Sequence, residues 1–119
     1  MKLYKSIRVQ IRNIRFNSMW EFKIYKILKS VIDVNNLPIL VNQRIPGHRI
    51  ELDFYVPKLK LAFELQGPHH MFDLRTIKND LIKTIVCQSS GIKLIRLSCT
   101  KTYSKKFFKD IFLQKCTEK

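Results

Sequence analysis

Acidic residues are scarce in this sequence, and their scarcity is its most informative feature. Nine Asp and Glu stand against 23 Lys and Arg in 119 residues, which gives a formal net charge of +14. A chain this basic predicts a polyanionic partner, with nucleic acid as the first expectation and an acidic membrane surface as the second. The length predicts one domain with a modest hydrophobic core.

Long apolar runs and paired cysteines are also missing. No run approaches the roughly 18 apolar residues that a membrane span requires, and no continuous apolar segment of the kind found in a secretory signal follows the N-terminus. The three cysteines, Cys87, Cys99 and Cys116, show no CxxC spacing and predict no disulfide framework. These absences predict an intracellular protein of a reducing compartment (the cytoplasm, an organelle or a phage-infected cell) that is not secreted.

No acidic residue occurs before Glu21, so residues 1–17 are predicted to form a basic N-terminal arm. Its apolar spacing suits a strand and a short helix equally, and both remain open. A phosphate-contacting arm and a solvated or frayed terminus are the two interpretations of its charge. The arginines that would contact phosphate are Arg8, Arg12 and Arg15.

Repeats, linkers and low-complexity tracts are absent, so residues 18–119 are predicted to form a single domain. Ser18 and Glu21 form a capping box that begins a helix, and Gly91 ends a later one. The predicted order α-β-β-β-α-β-α indicates an α/β fold, with a mixed central sheet flanked by helices and a last strand parallel to its neighbour. The elements are predicted over 18–32, 39–45, 49–56, 60–66, 73–89, 92–97 and 105–116.

Apolar spacing also predicts which helix faces are buried. No helix is predicted to combine an exposed apolar face with a basic one, which argues against a membrane-surface protein. In the helix over 73–89 the predicted inward residues are Leu74, Ile77, Leu81, Ile85 and Cys87. In the last helix they are Phe107, Phe108, Ile111 and Phe112.

The two strands over 49–66 are predicted to form a hairpin around Pro57-Lys58-Leu59. Antiparallel partners have residue numbers of constant sum, and the pair Asp53 with Glu64 sets that sum. In this register Ile50, Leu52, Phe54 and Val56 share one face with Leu61, Phe63 and Leu65. The opposite face then places the two carboxylates directly across from each other.

Carboxylates facing each other across a sheet repel, so this register predicts a cation between Asp53 and Glu64. Mg²⁺ or Mn²⁺ is the expected ion, because it binds one or two carboxylates and retains several waters. Gln66 lies two residues after Glu64 and is predicted to point at the same site. A solvated sheet face is the alternative interpretation of the same acids.

These residues resemble the D…(D/E)xK signature of the PD-(D/E)XK nuclease superfamily, with Asp53 followed by Glu64-Leu65-Gln66. The match sharpens toward the branch of the very short patch repair endonucleases and related homing endonucleases. An S-x-x-E helix start, an E-x-D-G-x-x-H-like segment and a D-x-x-K…C…G-I-x-L-I-R run occur in the order of that branch. The matching positions are Ser18, Glu21, Glu64, Gln66, Gly67, His70, Asp80, Lys83, Cys87 and 91–96.

The resemblance implies a restriction-endonuclease-like core and an Mg²⁺-dependent endonuclease acting on DNA, as a homodimer if both strands are cut. It implies Asp53 and Glu64 as metal ligands, with Glu21, Gln66 and His70 completing the catalytic set. Gln66 departs from the lysine that the motif usually carries. Arg49, Lys78 and Lys83 are further candidates for nucleic-acid contact.

A nucleic-acid-binding module that retains the fold without catalysis is the alternative from another class. RAP-type RNA-associated domains have a similar E-x-D-G-P-x-H segment, so its partner would be RNA. The intact pair Asp53 and Glu64 favours the enzyme, and Gln66 favours the binding module. Glu21, taken alone, is also explained by the capping box that it forms with Ser18.

Overall fold

The computed structural model describes residues 9–11, 14–16, 18–32, 37–45, 47–48, 50–67 and 74–117. The elements begin with a short hairpin, β1 and β2, which precedes the predicted series. For residues 9–11 the structure shows the strand, one of the two alternatives that the sequence left open. From residue 18 onward the predicted order α-β-β-β-α-β-α is confirmed. The elements are β1 Val9–Ile11, β2 Ile14–Phe16, α1 Met19–Ile32, β3 Leu40–Arg44, β4 Glu51–Val56, β5 Leu61–Gln66, α2 Leu74–Ser89, β6 Lys93–Ser98 and α3 Lys105–Thr117.

One four-stranded sheet, in the order β3-β4-β5-β6, forms the centre of the fold. The strands β3, β4 and β5 are antiparallel, whereas β6 runs parallel to β5. Both features confirm the predicted mixed sheet, because a strand reached through a helix can return in the direction of its neighbour. The protein is therefore an α/β fold with helices on both faces of the sheet.

The larger part of the core lies between the sheet and the helices α1 and α3. Phe54 and Phe63 are fully buried there, together with Trp20 of α1 and Phe108 of α3. The ring of Phe63 lies 5.4 Å from that of Phe108 in an edge-to-face contact, which is a favourable aromatic geometry. In α3, Phe108 and Phe112 are buried as predicted and Ile111 is half-buried, but Phe107 remains 36% exposed.

Helix α2 covers the other face of the sheet, and the prediction for its buried side is wrong. Of the predicted inward residues only Cys87 is buried, while Leu74 is 83% exposed and Leu81 59%. The half-buried side of α2 carries polar residues instead, including Asp80 and Lys83. We call its exposed apolar residues the apolar stripe of α2: Leu74, Ile77, Leu81, Ile82 and Ile85.

The polar side of α2 faces inward because the part of the sheet beneath its middle turns is polar. Glu64 and Gln66 of β5 and Arg96 of β6 all meet side chains or backbone of α2. Turning the apolar stripe inward would leave the buried Glu64 carboxylate without its cation, at a cost of about 3–5 kcal/mol. Each Leu or Ile that is left fully exposed forfeits about 1.5–3 kcal/mol. The five residues of the stripe together therefore outweigh this one ion pair, and the hydrogen bonds of Gln66 and Arg96 to α2 must also contribute to its orientation.

The apolar stripe of α2 bears on the sequence-based argument against a membrane-surface protein, which was that no helix combines an exposed apolar face with a basic one. Helix α2 combines this exposed stripe with the exposed basic residues Arg75 and Lys78. The sequence-based premise that no helix does so is therefore wrong. In the part of the chain that the structure describes, no helix is long and apolar enough to cross a membrane.

The hairpin register is confirmed, although its alternation is broken at one point. Phe54 pairs with Phe63, Tyr55 with Ala62 and Val56 with Leu61, as the predicted sum requires. Ile50 and Leu52 were predicted to share the face of Phe54, and this prediction is wrong. They pack with Ala62 and Cys87 on the α2 side of the sheet. The break falls at Asp53, beside Asn42 of β3, whose φ of 52° is unusual for a strand residue.

Candidate active site

The site lies where the sheet ladder opens around Asp53. On one side of β4, Val41 and Gln43 of β3 pair with Phe54 and Leu52. Asn42, which the register would place opposite Asp53, is not part of this ladder. On the other side, the Asp53 amide donates to a Glu64 carboxylate oxygen at 3.3 Å. The Leu65 amide in turn donates to Asp53 Oδ2 at 2.8 Å. Carboxylates thus accept backbone N–H groups within the sheet and are held between the strands.

Asp53 and Glu64, which we call the carboxylate pair, are adjacent as the register predicted. Burial, followed by the charge of Glu64, raises the pKa of Asp53 to about 8. Burial also raises the pKa of Glu64, although Lys83 and the Asp53 amide oppose this shift. Both carboxyl groups of the pair therefore ionise less readily than they would in water.

Glu21 reaches the carboxylate pair from the start of α1. Its backbone amide donates to Ser18 Oγ at 3.0 Å, which confirms the predicted helix cap. Its carboxylate is buried, accepts a hydrogen bond from the Asn42 side chain at 3.3 Å and contributes to the raised pKa of Asp53. Glu21 therefore lies in the capped first turn of α1 and also adds a buried carboxylate whose charge acts on Asp53.

A cation already lies at the carboxylate pair, and it comes from α2. The Lys83 ammonium donates to Glu64 Oε1 in an ion pair, and the exposed fractions of the two side chains are only 15% and 7%. The sequence predicts that Lys83 contacts nucleic-acid phosphate, and this stays a prediction. The structure places Lys83 at the candidate site beside Glu64, while Lys78 lies exposed on the same helix.

Two further contacts join α2 to the sheet beside Lys83. Gln66 Nε2 donates to Asp80 Oδ2 at 3.4 Å, so the motif glutamine contacts the helix. Arg96 Nη2 donates to the Asp80 backbone carbonyl at 2.7 Å. The Arg96 Nε is buried and has no hydrogen-bond partner among the described residues. Together these contacts fix the turn of α2 that precedes Lys83.

Several predicted site residues lie outside the described residues: Arg8, Arg12, Arg49 and His70. Of Arg15 only the backbone, in β2, is described. The structure brings together Glu21, Asp53, Glu64, Gln66 and Lys83. Within the described ranges, no group of three or more His, Cys, Asp and Glu is arranged to hold a metal ion.

The sequence-based reasoning assigned no role to Asn42, Asp80 and Arg96. Asp80 and Arg96 occur in the D-x-x-K and G-I-x-L-I-R segments of the resemblance, so a signal for them was present. Asn42 gave no signal, because nothing in its neighbourhood indicates a positive φ opposite Asp53. Carboxylate oxygens, an ammonium and a guanidinium meeting in one place can bind a hard cation and a phosphate.

Comparisons with known proteins add one structural likeness. No family model matches the chain, and no curated protein matches it. A solved structure, the homing endonuclease I-Bth0305I catalytic domain, is similar over 76% of this chain and 84% of that chain, at 20% sequence identity and a TM-score of 0.45. A likeness of this extent assigns neither a family nor an activity to this chain.

Proposed function

We propose that this protein is a metal-dependent endonuclease that hydrolyses phosphodiester bonds of DNA, with a site of the PD-(D/E)XK type. The observation that carries the proposal is the carboxylate pair, in which a buried Glu64 and a half-buried Asp53 lie between strands of a chain whose net charge is +14. Two adjacent acids that are largely removed from water are unfavourable unless a cation compensates their charge. Such a pair is typical of sites that bind a dication and a phosphate.

The donor atoms of the site fit Mg²⁺ or Mn²⁺. Asp53 and Glu64 offer carboxylate oxygens, which hard dications prefer, and Glu21 lies close enough to influence the Asp53 carboxylate. A dication would also oppose both causes of the raised pKa of Asp53, burial first and the repulsion from Glu64 second, because it favours the ionised carboxylate. When bound, it would polarise the phosphate and make the attacking water more acidic.

The protein side chains supply the remaining functions. Asp53 and Glu64 would hold the ion, and Glu21 would orient water from its position at the start of α1. His70 is the proposed general base, because it follows β5 by four residues in the sequence. The exposed lysine Lys78 and the arginines Arg8, Arg12, Arg15 and Arg49 are the proposed contacts to the nucleic-acid backbone.

The proposal is tested by nicking of supercoiled plasmid DNA. We expect relaxed circles with Mg²⁺ or Mn²⁺ and none with EDTA, because the carboxylate pair alone cannot polarise the phosphate. A titration with Ca²⁺, which binds carboxylates with a looser geometry, serves as the metal control. Plasmid that stays supercoiled under every metal condition, at protein concentrations that saturate binding, contradicts the proposed function.

Binding itself is expected to depend strongly on salt and not on metal. The excess of Lys and Arg lies outside the carboxylate pair, so duplex binding should release counterions. The slope of log K against log salt concentration is then about −0.9 for each phosphate contacted. Fluorescence anisotropy of a labelled duplex in EDTA measures this slope, and a slope near zero contradicts it.

A non-catalytic nucleic-acid-binding module is the second candidate, and Gln66 favours it. Glutamine cannot supply the charge that the motif lysine brings, and it contacts Asp80 rather than pointing free at the pair. Salt-dependent binding without metal-dependent nicking would support this candidate, with RNA as the preferred partner. If the nuclease cuts both DNA strands, we propose that it acts as a homodimer, because one site cuts one strand at a time.

A further inference from the structure

Position 66 holds glutamine where the resembled motif carries lysine, so β5 brings no cation to the carboxylate pair. A cation is nevertheless present, because Lys83 reaches Glu64 from α2. We infer that Lys83 is the cationic catalytic residue of this site, supplied by the helix in place of the strand. The inference rests on the proposed nuclease function and names a residue that carries it.

Gln66 then has a different function from the lysine that it replaces. It donates to the Asp80 carboxylate, and Asp80 precedes Lys83 by three residues on α2. Arg96 binds the backbone carbonyl of the same Asp80. Gln66 and Arg96 are therefore positioning residues, which hold the turn of α2 that carries the ammonium over Glu64.

The orientation of α2 supports this assignment. The helix exposes its apolar stripe to solvent and turns Asp80, Lys83 and Thr84 toward the sheet. Burial of apolar surface alone would favour the opposite orientation. Polar contacts retain the observed orientation, and one of them is the shielded ion pair that joins Lys83 to the carboxylate pair.

The ammonium has a direct use in phosphodiester hydrolysis. The water oxygen forms a bond to phosphorus as the bond from phosphorus to the leaving sugar oxygen breaks. The electron pair stays on the sugar oxygen, which takes a proton from solvent, and the attacking water gives its proton to the proposed general base. Negative charge on the phosphoryl oxygens is stabilised by a nearby cation. Lys83 remains protonated throughout and needs only to lie beside the phosphate.

Lys83→Gln tests the inference, with Lys23→Gln as the matched control. Lys23 is an exposed lysine of α1, so its replacement removes the same charge away from the site. In single-turnover nicking we expect Lys83→Gln to lower the rate by about 10²–10³-fold, the size expected for one electrostatic contact in the transition state. Lys23→Gln should stay within about threefold of the wild type.

Mn²⁺ binding to the free protein, measured by calorimetry, separates catalysis from structure. We expect Lys83→Gln to bind Mn²⁺ at least as tightly as the wild type, because a competing cation has been removed from Glu64. A slower variant that also loses Mn²⁺ binding or its folded circular dichroism spectrum would show that Lys83 is only a structural ion-pair partner.

An exchange of the two side chains gives a second test. The double variant Lys83→Gln with Gln66→Lys places a cation at the usual motif position, and we expect its rate to exceed that of Lys83→Gln by at least tenfold. A double variant that is no faster than Lys83→Gln contradicts the inference that Lys83 takes the place of the motif lysine.

If Lys83→Gln is as active as Lys23→Gln, the inference about Lys83 fails while the proposed nuclease function is retained. If the wild type itself shows no metal-dependent nicking, the proposed function fails and the inference with it.

Discussion

Glu64→Ala is expected to abolish metal-dependent nicking, a loss of more than about 10³-fold against wild type from a parallel preparation. Glu64 is the carboxylate in contact with both Asp53 and Lys83, so its removal eliminates half of the proposed metal site. Glu51→Ala is the matched control, because Glu51 is an exposed carboxylate on β4. We expect Glu51→Ala to nick at the wild-type rate.

Loss of Glu64 also leaves Lys83 partly buried without its partner, and this can destabilise the fold. Glu64→Gln retains the shape and a hydrogen-bond acceptor for the Asp53 amide, so it separates charge from structure. We expect Glu64→Gln to be folded and inactive. Residual nicking that is equal in the wild type and in both Glu64 variants would indicate a contaminating nuclease, and the binding module would then be the better proposal.

Asp53→Asn is expected to stabilise the metal-free protein at high pH and to abolish Mg²⁺ binding. The folded protein raises the pKa of Asp53 to about 8 from an ordinary value of 3.8. Between these values the folded state holds a proton that the unfolded state has lost. Stability therefore declines as pH rises from about 4 to 8, by at most about 1.4 kcal/mol per pH unit for this group.

Asparagine resembles the protonated aspartic acid and does not titrate, so the difference in unfolding free energy should grow with pH. Urea unfolding of Asp53→Asn and wild type in EDTA, from pH 5 to pH 8.5, measures this difference. Asp110→Asn is the control, because Asp110 lies exposed on α3 beside Lys106. Parallel curves for Asp53→Asn and wild type, or unfolding of the variant, contradict the raised pKa and the metal-site interpretation.

The hairpin and the helix starts were predictable because they depend on neighbouring residues. The pairing of Phe54 with Phe63 follows from alternation and turn position alone, and so does the facing of Asp53 and Glu64. The cap of α1 at Ser18 follows from a four-residue pattern. The parallel strand β6 follows from an intervening helix that reverses the chain direction.

The rotation of α2 was not predictable from its own sequence. Its spacing predicts that Leu74, Ile77, Leu81 and Ile85 are buried, since apolar burial is usually the dominant contribution. The contacts that oppose it come from other elements, Glu64 and Gln66 on β5 and Arg96 on β6. The same holds for Asn42, whose φ of 52° has no local signal. The orientation of α2 and the φ of Asn42 both concern the candidate site. At functional sites the conformation that the local sequence favours is often not the one adopted.

The inverted orientation of α2 has a consequence for amide hydrogen exchange. A helix that docks mainly through polar contacts, with Cys87 as its buried residue, gains little from hydrophobic burial. Its opening free energy should therefore fall well below that of α1 and α3, which share the aromatic core. Lys83 leaves the carboxylate pair whenever α2 opens, so helix docking and site assembly are one equilibrium. A bound duplex that holds Lys83 in place would slow exchange along the whole of α2.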